Sequence, residues 1–274
     1  MADVRLIVEI DDDDPQCAVV SVEGAVAGHG YRFVLDTGAS RTQVVADAFI
    51  DTLETSGEHY SHGVFFPSTQ RMVHLPDLEV GPLRSSTIEA SVAVASEGAV
   101  RPLVGMDFLD GHRLHFCFDL DLLIVDGTPV RGALHPLTVD EAKHLYVEAT
   151  WPSATATCVW DSGAGMTIVD EAFWARHKHL FRPVGSSQGT DASGMQQSST
   201  TYDVSSPMIG GHWFAPHHVA VLDLSVPNST LARPMDMILG YPTLRQANWY
   251  FDMPHRLWSI TKCLNEARPI RGTN

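Results

Sequence analysis

Apolar residues recur along this chain in short runs, cut by Gly, Pro, Asp and Ser, with few stretches at helical spacing. Such runs predict short strands and turns rather than long helices. Residues 4–10 predict a strand, ended by four consecutive Asp residues at 11–14 and by Pro15. Residues 17–27 are β-prone, Gly28-His29-Gly30 predicts a turn, and residues 31–35 predict a strand that ends on Asp36. A short helix is expected at 44–50. Gly57 to Gly63 reads as turn, and residues 64–73 as a hairpin carrying Phe65 and Phe66. Strands follow at 91–95, 114–118 and 122–125, with a helical piece at 106–111.

Residues 126–143 contain Gly127, Pro129, Gly132 and Pro136, a composition break that predicts a linker. Two lobes are expected, 1–130 and 131–274. After the break the pattern restarts. Strands at 144–151 and 156–160 lead into Asp161, and a helix is expected at 168–178. Residues 185–203 are rich in Gly, Ser, Thr and Gln. They predict a long hairpin with a polar tip at Gly189, Thr190, Asp191, Ala192, Ser193 and Gly194. Strands at 208–209, 218–222, 249–251 and 257–261 and a helix at 241–246 complete the reading.

The restart is a repeat. Asp36-Thr37-Gly38-Ala39 returns as Asp161-Ser162-Gly163-Ala164, and Leu103-Val104-Gly105 returns as Ile238-Leu239-Gly240. Asp36 and Asp161 are 125 positions apart, as are Thr42 and Thr167, while Gly105 and Gly240 are 135 apart. The second half therefore carries about ten extra residues before its Gly, assigned to its hairpin or to the loop around 227–234. A lone Asp-Thr-Gly is weak, since Asp and Gly populate turns everywhere. Two copies with matched flanks are a strong signal.

Two carboxylates a hydrogen bond apart suit the hydrolysis of an amide by water. Like charges that close cannot both ionise, so the pair shares one proton and supplies both a base and an acid. The Thr37 and Ser162 hydroxyls are placed to donate across the interface between the turns. Gly38 and Gly163 let backbone approach the carboxylates, and Gly105 and Gly240 leave room for a strand behind each turn. These motifs resemble those of the aspartic peptidases. The Ala after each turn Gly, and the compact lobes, are more similar to the retropepsins than to pepsin, although retropepsins pair two copies of one lobe. The resemblance covers roughly residues 4–262. It implies an all-β fold of two pseudo-symmetric closed-barrel lobes with short helices and an active-site cleft between them. It also implies an aspartic-type endopeptidase with Asp36 and Asp161 catalytic, acting as a monomer on an extended peptide or protein substrate, without metal or organic cofactor. A non-catalytic peptide- or protein-binding module on the same fold is the alternative. Pepsins carry a Tyr-bearing flap in the first lobe. Here the clearer flap-like hairpin is in the second, and the first-lobe counterpart around 57–73 has no Gly-rich tip, leaving Tyr60, Phe65 and Phe66 as candidates.

Composition changes this picture little. The chain has 274 residues, 44% hydrophobic and 19% charged, and a net charge of −15. That charge argues against nucleic acid and anionic membrane surfaces as partners. No run is long and apolar enough for a membrane span, and the first residues do not read as a secretory signal. The four scattered cysteines, Cys17, Cys117, Cys158 and Cys263, suggest reduced thiols and a cytoplasmic protein. His177 with His179, His217 with His218, and His112 with His115 invite a zinc reading. They lack Cys or Glu partners at zinc spacing, so no metal is expected. Asp119, Asp252 and Asp107 read as turn and helix-end residues, and Trp160 as a core aromatic. Finally, both residues after the turn Gly are apolar, Ala39 and Ala164, so no side-chain hydroxyl there lowers the carboxyl pKa. The alkaline limb of activity is expected nearer neutrality than in pepsin-like enzymes.

Overall fold

A computed structural model of the chain describes residues 2–62, 67–93, 100–190 and 196–265. Among them strands dominate and every helix is short. The first half forms an eight-stranded sheet in the order Ile7–Ile10, Ala18–Val26, His29–Leu35, Leu103–Val104, Gln43–Val45, Leu83–Ala93, Pro67–Val80, Thr55–His62. Ala18–Val26 also pairs with Pro67–Val80 through Ala25 opposite Glu79 and Val26 opposite Leu78, which closes the sheet on itself. Edge strands are thereby removed except at Thr55–His62 and Ile7–Ile10. The interior is filled by alternate residues, among them Val20, Val22, Phe33, Leu35, Val73 and Leu75.

The second half repeats this plan in a ten-stranded sheet, with breaks in its longer strands. Leu145–Trp151 and Ala154–Trp160 form the hairpin that ends on Asp161, as Ala18–Val26 and His29–Leu35 form the one that ends on Asp36. In both halves a strand from beyond the hairpin then runs parallel beside it: Val34 and Leu35 pair Leu103 and Val104, and Val159 and Trp160 pair Ile238 and Leu239. The long closing strand of the first half is here split into Gln196–Val204 and Met208–Ile209, and the latter pairs with Leu145–Trp151.

The repeat locates the extra residues. Gln43 pairs Ser91 while Ile168 pairs Ala220, spans of 48 and 52 positions. From Ser91 to Gly105 is 14 positions, and from Ala220 to Gly240 is 20. Four extra residues therefore lie before that strand and six in the segment after it, which carries the helix Ser225–Asn228. Both expected places contribute.

A six-stranded sheet underlies both halves, in the order Ala2–Arg5, Leu122–Val125, Arg113–Cys117, Ala247–Asp252, Leu257–Cys263, His135–Pro136. Each half supplies three strands, so the main core is continuous across the chain. Its centre is aromatic. Trp160 is fully buried, with ring centroids 4.7 Å from Phe116, 4.8 Å from Phe251 and 5.8 Å from Trp249. Trp160 is thus the core aromatic expected, and it anchors the end of the strand that leads into Asp161. Its truncation to Ala would cost about 3–5 kcal/mol.

Four expectations need correction. Residues 4–10 are two strands, Ala2–Arg5 and Ile7–Ile10, in different sheets, with buried Leu6 as the crossing point. Residues 44–50 are not a helix: Gln43–Val45 is a strand, because buried Val44 fills the barrel, and only Ile50–Thr52 is a single 3-10 turn. The 168–178 segment starts as strand Thr167–Asp170 before the helix Glu171–Arg176. The first-half hairpin is longer than expected, Thr55–His62 against Pro67–Val80, and is the topological twin of Phe181–Thr190 against Gln196–Val204. Its candidate tip residues Phe65 and Phe66 lie outside the described residues, as do Asp191, Ala192, Ser193 and Gly194. Gly189 and Thr190 lie in the strand, opposite Gln197 and Gln196.

Candidate active site

The two Asp turns meet where the parallel strand pairs end. Asp36 N donates to Val104 O (3.1 Å) and Asp161 N to Leu239 O (3.0 Å), so each aspartate is held at the C-terminal end of its strand. Between the turns runs a reciprocal exchange of hydroxyls. Thr37 Oγ1 donates to Trp160 O (3.1 Å) and accepts from Ser162 N (3.0 Å). Ser162 Oγ donates to Leu35 O (2.6 Å) and accepts from Thr37 N (3.2 Å). Both side chains are buried, at 0% and 2% exposure, so no water substitutes for these bonds. This is the cross-interface lock expected from the sequence.

The lock sets the carboxylates face to face. Gly38 N lies 3.0 Å from Asp36 Oδ1 and 3.1 Å from Asp161 Oδ1. One amide proton thus touches both side chains, and their oxygens can be no more than about 6 Å apart. Ala39 N also donates to Asp36 Oδ1 (2.9 Å), and Gly163 N to Asp161 Oδ1 (2.8 Å). The glycines are needed for this approach. A Cβ on Gly38 would sit 2.4 Å from Asp161 Oδ2, and one on Gly163 would sit 2.4 Å from the Asp36 carboxyl carbon. Behind the turns, a Cβ on Gly105 would meet the Arg41 carbonyl carbon at 2.6 Å, and one on Gly240 would meet Met166 O at 2.3 Å. All four turn and strand glycines therefore have steric reasons of the kind read from the sequence.

Burial raises the pKa of both aspartates. For Asp36 the negative charge of Asp161 adds to burial and pushes it well above the usual range, against the donors Ala39 N and Gly38 N. For Asp161 the Gly163 amide and the neighbouring His144 pull back against burial. The two titrate as a unit, and together they hold a proton above the ordinary carboxylate range.

The remaining sequence candidates are dispersed. Asp252 takes His255 Nδ1 (2.7 Å) and holds a turn, as expected, while the Asp119 carboxylate ties its turn to Asn248 (2.7 Å) and Lys262 on strands of the second half. Asp107 is more than a helix-end residue: its Oδ1 accepts from Thr42 N and Thr42 Oγ1 (2.8 Å each), behind the Asp36 turn. The histidine pairs serve separate contacts. His217 faces Thr243 (2.7 Å) and His218 faces Asp14 (2.7 Å), while His112 meets Asp126 and His115 meets Thr261. Among the described residues no cluster of three or more His, Cys, Asp or Glu is arranged to hold a metal ion. No helix among them is long and apolar enough to cross a membrane. His144 was not singled out in the sequence. The signal for it is register: Leu145 pairs Trp160, so the next residue along faces Asp161.

The all-β fold with paired Asp turns at its centre is consistent with the two-lobed aspartic-peptidase fold. Residues 22–111, about a third of the chain, match the family described as gag-polyprotein putative aspartyl protease. That match covers the half bearing Asp36 and Gly105, and with the fold it supports an aspartic peptidase of the retropepsin type. No curated protein matches the chain.

Proposed function

We propose that the chain is an aspartic endopeptidase in which Asp36 and Asp161 form one catalytic dyad within a single polypeptide. The observation that carries the proposal is the Gly38 amide bonded to both carboxylates. In the resting site the pair holds one proton. The ionised carboxylate takes a proton from a water whose oxygen attacks the peptide carbonyl carbon. The protonated carboxyl gives its proton to the carbonyl oxygen, forming a neutral gem-diol. Return of a diol proton to one carboxylate and protonation of the amide nitrogen by the other then breaks the C–N bond. The roles exchange during the cycle, so the acid and base labels belong to the pair. The substrate is an extended peptide in the cleft between lobes 1–130 and 131–274. The two twin hairpins, Thr55–His62 with Pro67–Val80 and Phe181–Thr190 with Gln196–Val204, fold over it.

The same chain supplies both aspartates, which supports a monomeric enzyme. The four cysteine thiols form no disulfide, which suits a reducing compartment such as the cytoplasm. The test is incubation of the full chain with a mixed peptide library, beside Asp36→Asn and Asp161→Asn. Cleavage products from wild type alone are expected, with specific activity constant on dilution through the nanomolar range. Equal cleavage by either variant rejects the dyad. Peptide binding without cleavage by wild type favours the binding module instead.

A further inference from the structure

Behind each Asp turn a threonine hydroxyl ties the glycine of the parallel strand, and the two ties end differently. In the first half Gly105 N donates to Thr42 Oγ1 (3.3 Å), and Thr42 donates onward to Asp107 Oδ1 (2.8 Å). In the second half the residue two after the Gly is Pro242, which offers no side-chain acceptor. The tie instead runs from Gly240 N to Thr167 Oγ1 (3.1 Å), to Thr243 Oγ1 (2.8 Å), to His217 Nε2 (2.7 Å). Thr167, Thr243 and His217 are buried, with exposures of 0%, 0% and 3%.

The direction of this chain follows from one contact. His217 Nδ1 lies 2.9 Å from Ala215 O, which can only accept, so Nδ1 carries the proton and Nε2 is the acceptor. Thr243 must then donate to Nε2 and accept from Thr167, whose hydroxyl accepts from Gly240 N. The alternative acceptor for Thr167, Gly240 O, is farther at 3.4 Å. Gln246 frames the imidazole: its Oε1 accepts from Ala215 N (2.8 Å) and its amide donates to Pro242 O (3.0 Å). That amide also lies 3.2 Å from His217 Nδ1, but there two donors face each other, so Pro242 O is its partner.

We propose that neutral, Nδ1-protonated His217 is the positioning residue of the Asp161 turn. It terminates a one-way hydrogen-bond chain that fixes Gly240 and thereby the two backbone groups that hold the turn. Those groups are Leu239 O, accepting from Asp161 N (3.0 Å), and Tyr241 N, donating to Ala164 O (2.9 Å). The proposal rests on the dyad reading, since it assigns His217 to the support of one member of the dyad. A proton added at Nε2 would turn the acceptor into a donor aimed at the Thr243 hydroxyl. The chain would have to reverse: Thr243 would donate to Thr167, whose own proton would be left with Gly240 O, a weaker acceptor at 3.4 Å. Burial opposes that proton and pushes the imidazole down to about 4, against the Ala215 carbonyl and Asp203, with His218 and Arg245 acting in the same sense as burial. The His218 ring points away, to Asp14 (2.7 Å) and Asp203 (3.4 Å).

The test uses the full chain and three variants: His217→Leu, His217→Gln and Thr243→Val. Imidazole nitrogen NMR of wild type is expected to show the Nδ1–H tautomer. His217→Leu and Thr243→Val are expected to lower kcat by about tenfold or more with KM within about twofold, the signature of a misplaced catalytic group. His217→Gln, whose Oε1 can accept from Thr243, is expected to return kcat to within about threefold of wild type. An Nε2–H tautomer overturns the proposal. So does a His217→Leu variant, folded by near-ultraviolet circular dichroism at the assay temperature, with wild-type kcat, or a Gln variant no better than Leu. If wild type cleaves no peptide, the dyad reading fails on its own. Carboxyl carbon NMR of Asp161 then decides about His217: a titration moved by Leu and restored by Gln supports the chain, and an unmoved one overturns it.

Discussion

The hydroxyl exchange between the turns should hold the two halves and the dyad together, and Thr37→Val measures it. Valine keeps the volume and branching of threonine but removes its oxygen. The donation to Trp160 O (3.1 Å) and the acceptance from Ser162 N (3.0 Å) vanish together, at a site with no solvent exposure. A buried neutral hydrogen bond is worth about 1 kcal/mol net, and each polar group left unpaired costs about 1–3 kcal/mol. The loss should be roughly 3–5 kcal/mol if Ser162 N finds no new acceptor, and about 2 kcal/mol if the backbone relaxes toward one. Ser162→Ala removes the mirror-image pair to Leu35 O and from Thr37 N and should cost a similar amount. The two oxygens also lie 3.5 Å apart, so the double variant should lose less than the sum of the singles, by about 1 kcal/mol or more. Thr37→Ser keeps the hydroxyl and should recover most of the stability. Urea unfolding gives the free energies, and kcat on a cleaved peptide should fall in the same order, since the exchange places both aspartates. A Thr37→Val protein within about 0.5 kcal/mol of wild type, or strict additivity, would refute the reasoning.

Gly163→Ala places a methyl 2.4 Å from the Asp36 carboxyl carbon, so kcat should drop by about a hundredfold or more while circular dichroism shows the fold retained; wild-type kcat would contradict the close approach. His217 titrates near 4 folded against about 6.5 unfolded, so the unfolded chain binds more protons between those values and stability is gained as pH rises through that window. The stability advantage of wild type over His217→Gln should therefore shrink by on the order of 3 kcal/mol from pH 7 to pH 4, and a constant difference in urea midpoints would oppose it. The dyad has the opposite sign: its raised pKa values favour folding in acid and lose that contribution as pH rises through the folded values, so Asp36→Asn should be more stable than wild type at neutral pH, with the gap closing in acid. Ala39→Ser with Ala164→Ser adds hydroxyl donors that favour the ionised dyad, so the alkaline limb of the pH–rate profile should move to lower pH; movement upward would count against the argument.

What was legible in the sequence was whatever local chemistry fixes. The Asp turns, the Thr37 and Ser162 hydroxyls and the four glycines are each tied to a short string whose residue types allow little else. Partner choice was not legible. Residues 4–10 present one apolar run, yet Leu6 divides it between two sheets, because alternation marks a buried face without naming the strand beside it. Val44 and Val45 sit at spacings a helix would also satisfy, and barrel closure decides for strand. The first-half hairpin carries no Gly-rich tip to mark it in the sequence, and the pairing of Thr55–His62 with Pro67–Val80 is what defines it. His217 and His218 looked like two halves of a metal pair. Neighbours on a strand face opposite ways, so one reaches Thr243 inside and the other Asp14 outside.

Having both turns on one chain changes what the site can be. In a symmetric pair of identical lobes every residue near one aspartate is repeated near the other. Here the halves keep the same strands and substitute different chemistry at matched positions: Thr37 for Ser162, Asp107 for Pro242, and a tie ending in a carboxylate for one ending in an imidazole. Continuing the strand registers sets His144 across from Asp161 and Val19 across from Asp36. His144 favours the charged form of Asp161, while Asp36 has no such neighbour and feels the charge of Asp161 itself. In the proposed dyad the two seats of the shared proton are therefore chemically unlike, where a symmetric site would make them equivalent. The turn that carries Asp161 is also the one steadied, in the hydrogen-bond chain proposed above, by a neutral imidazole.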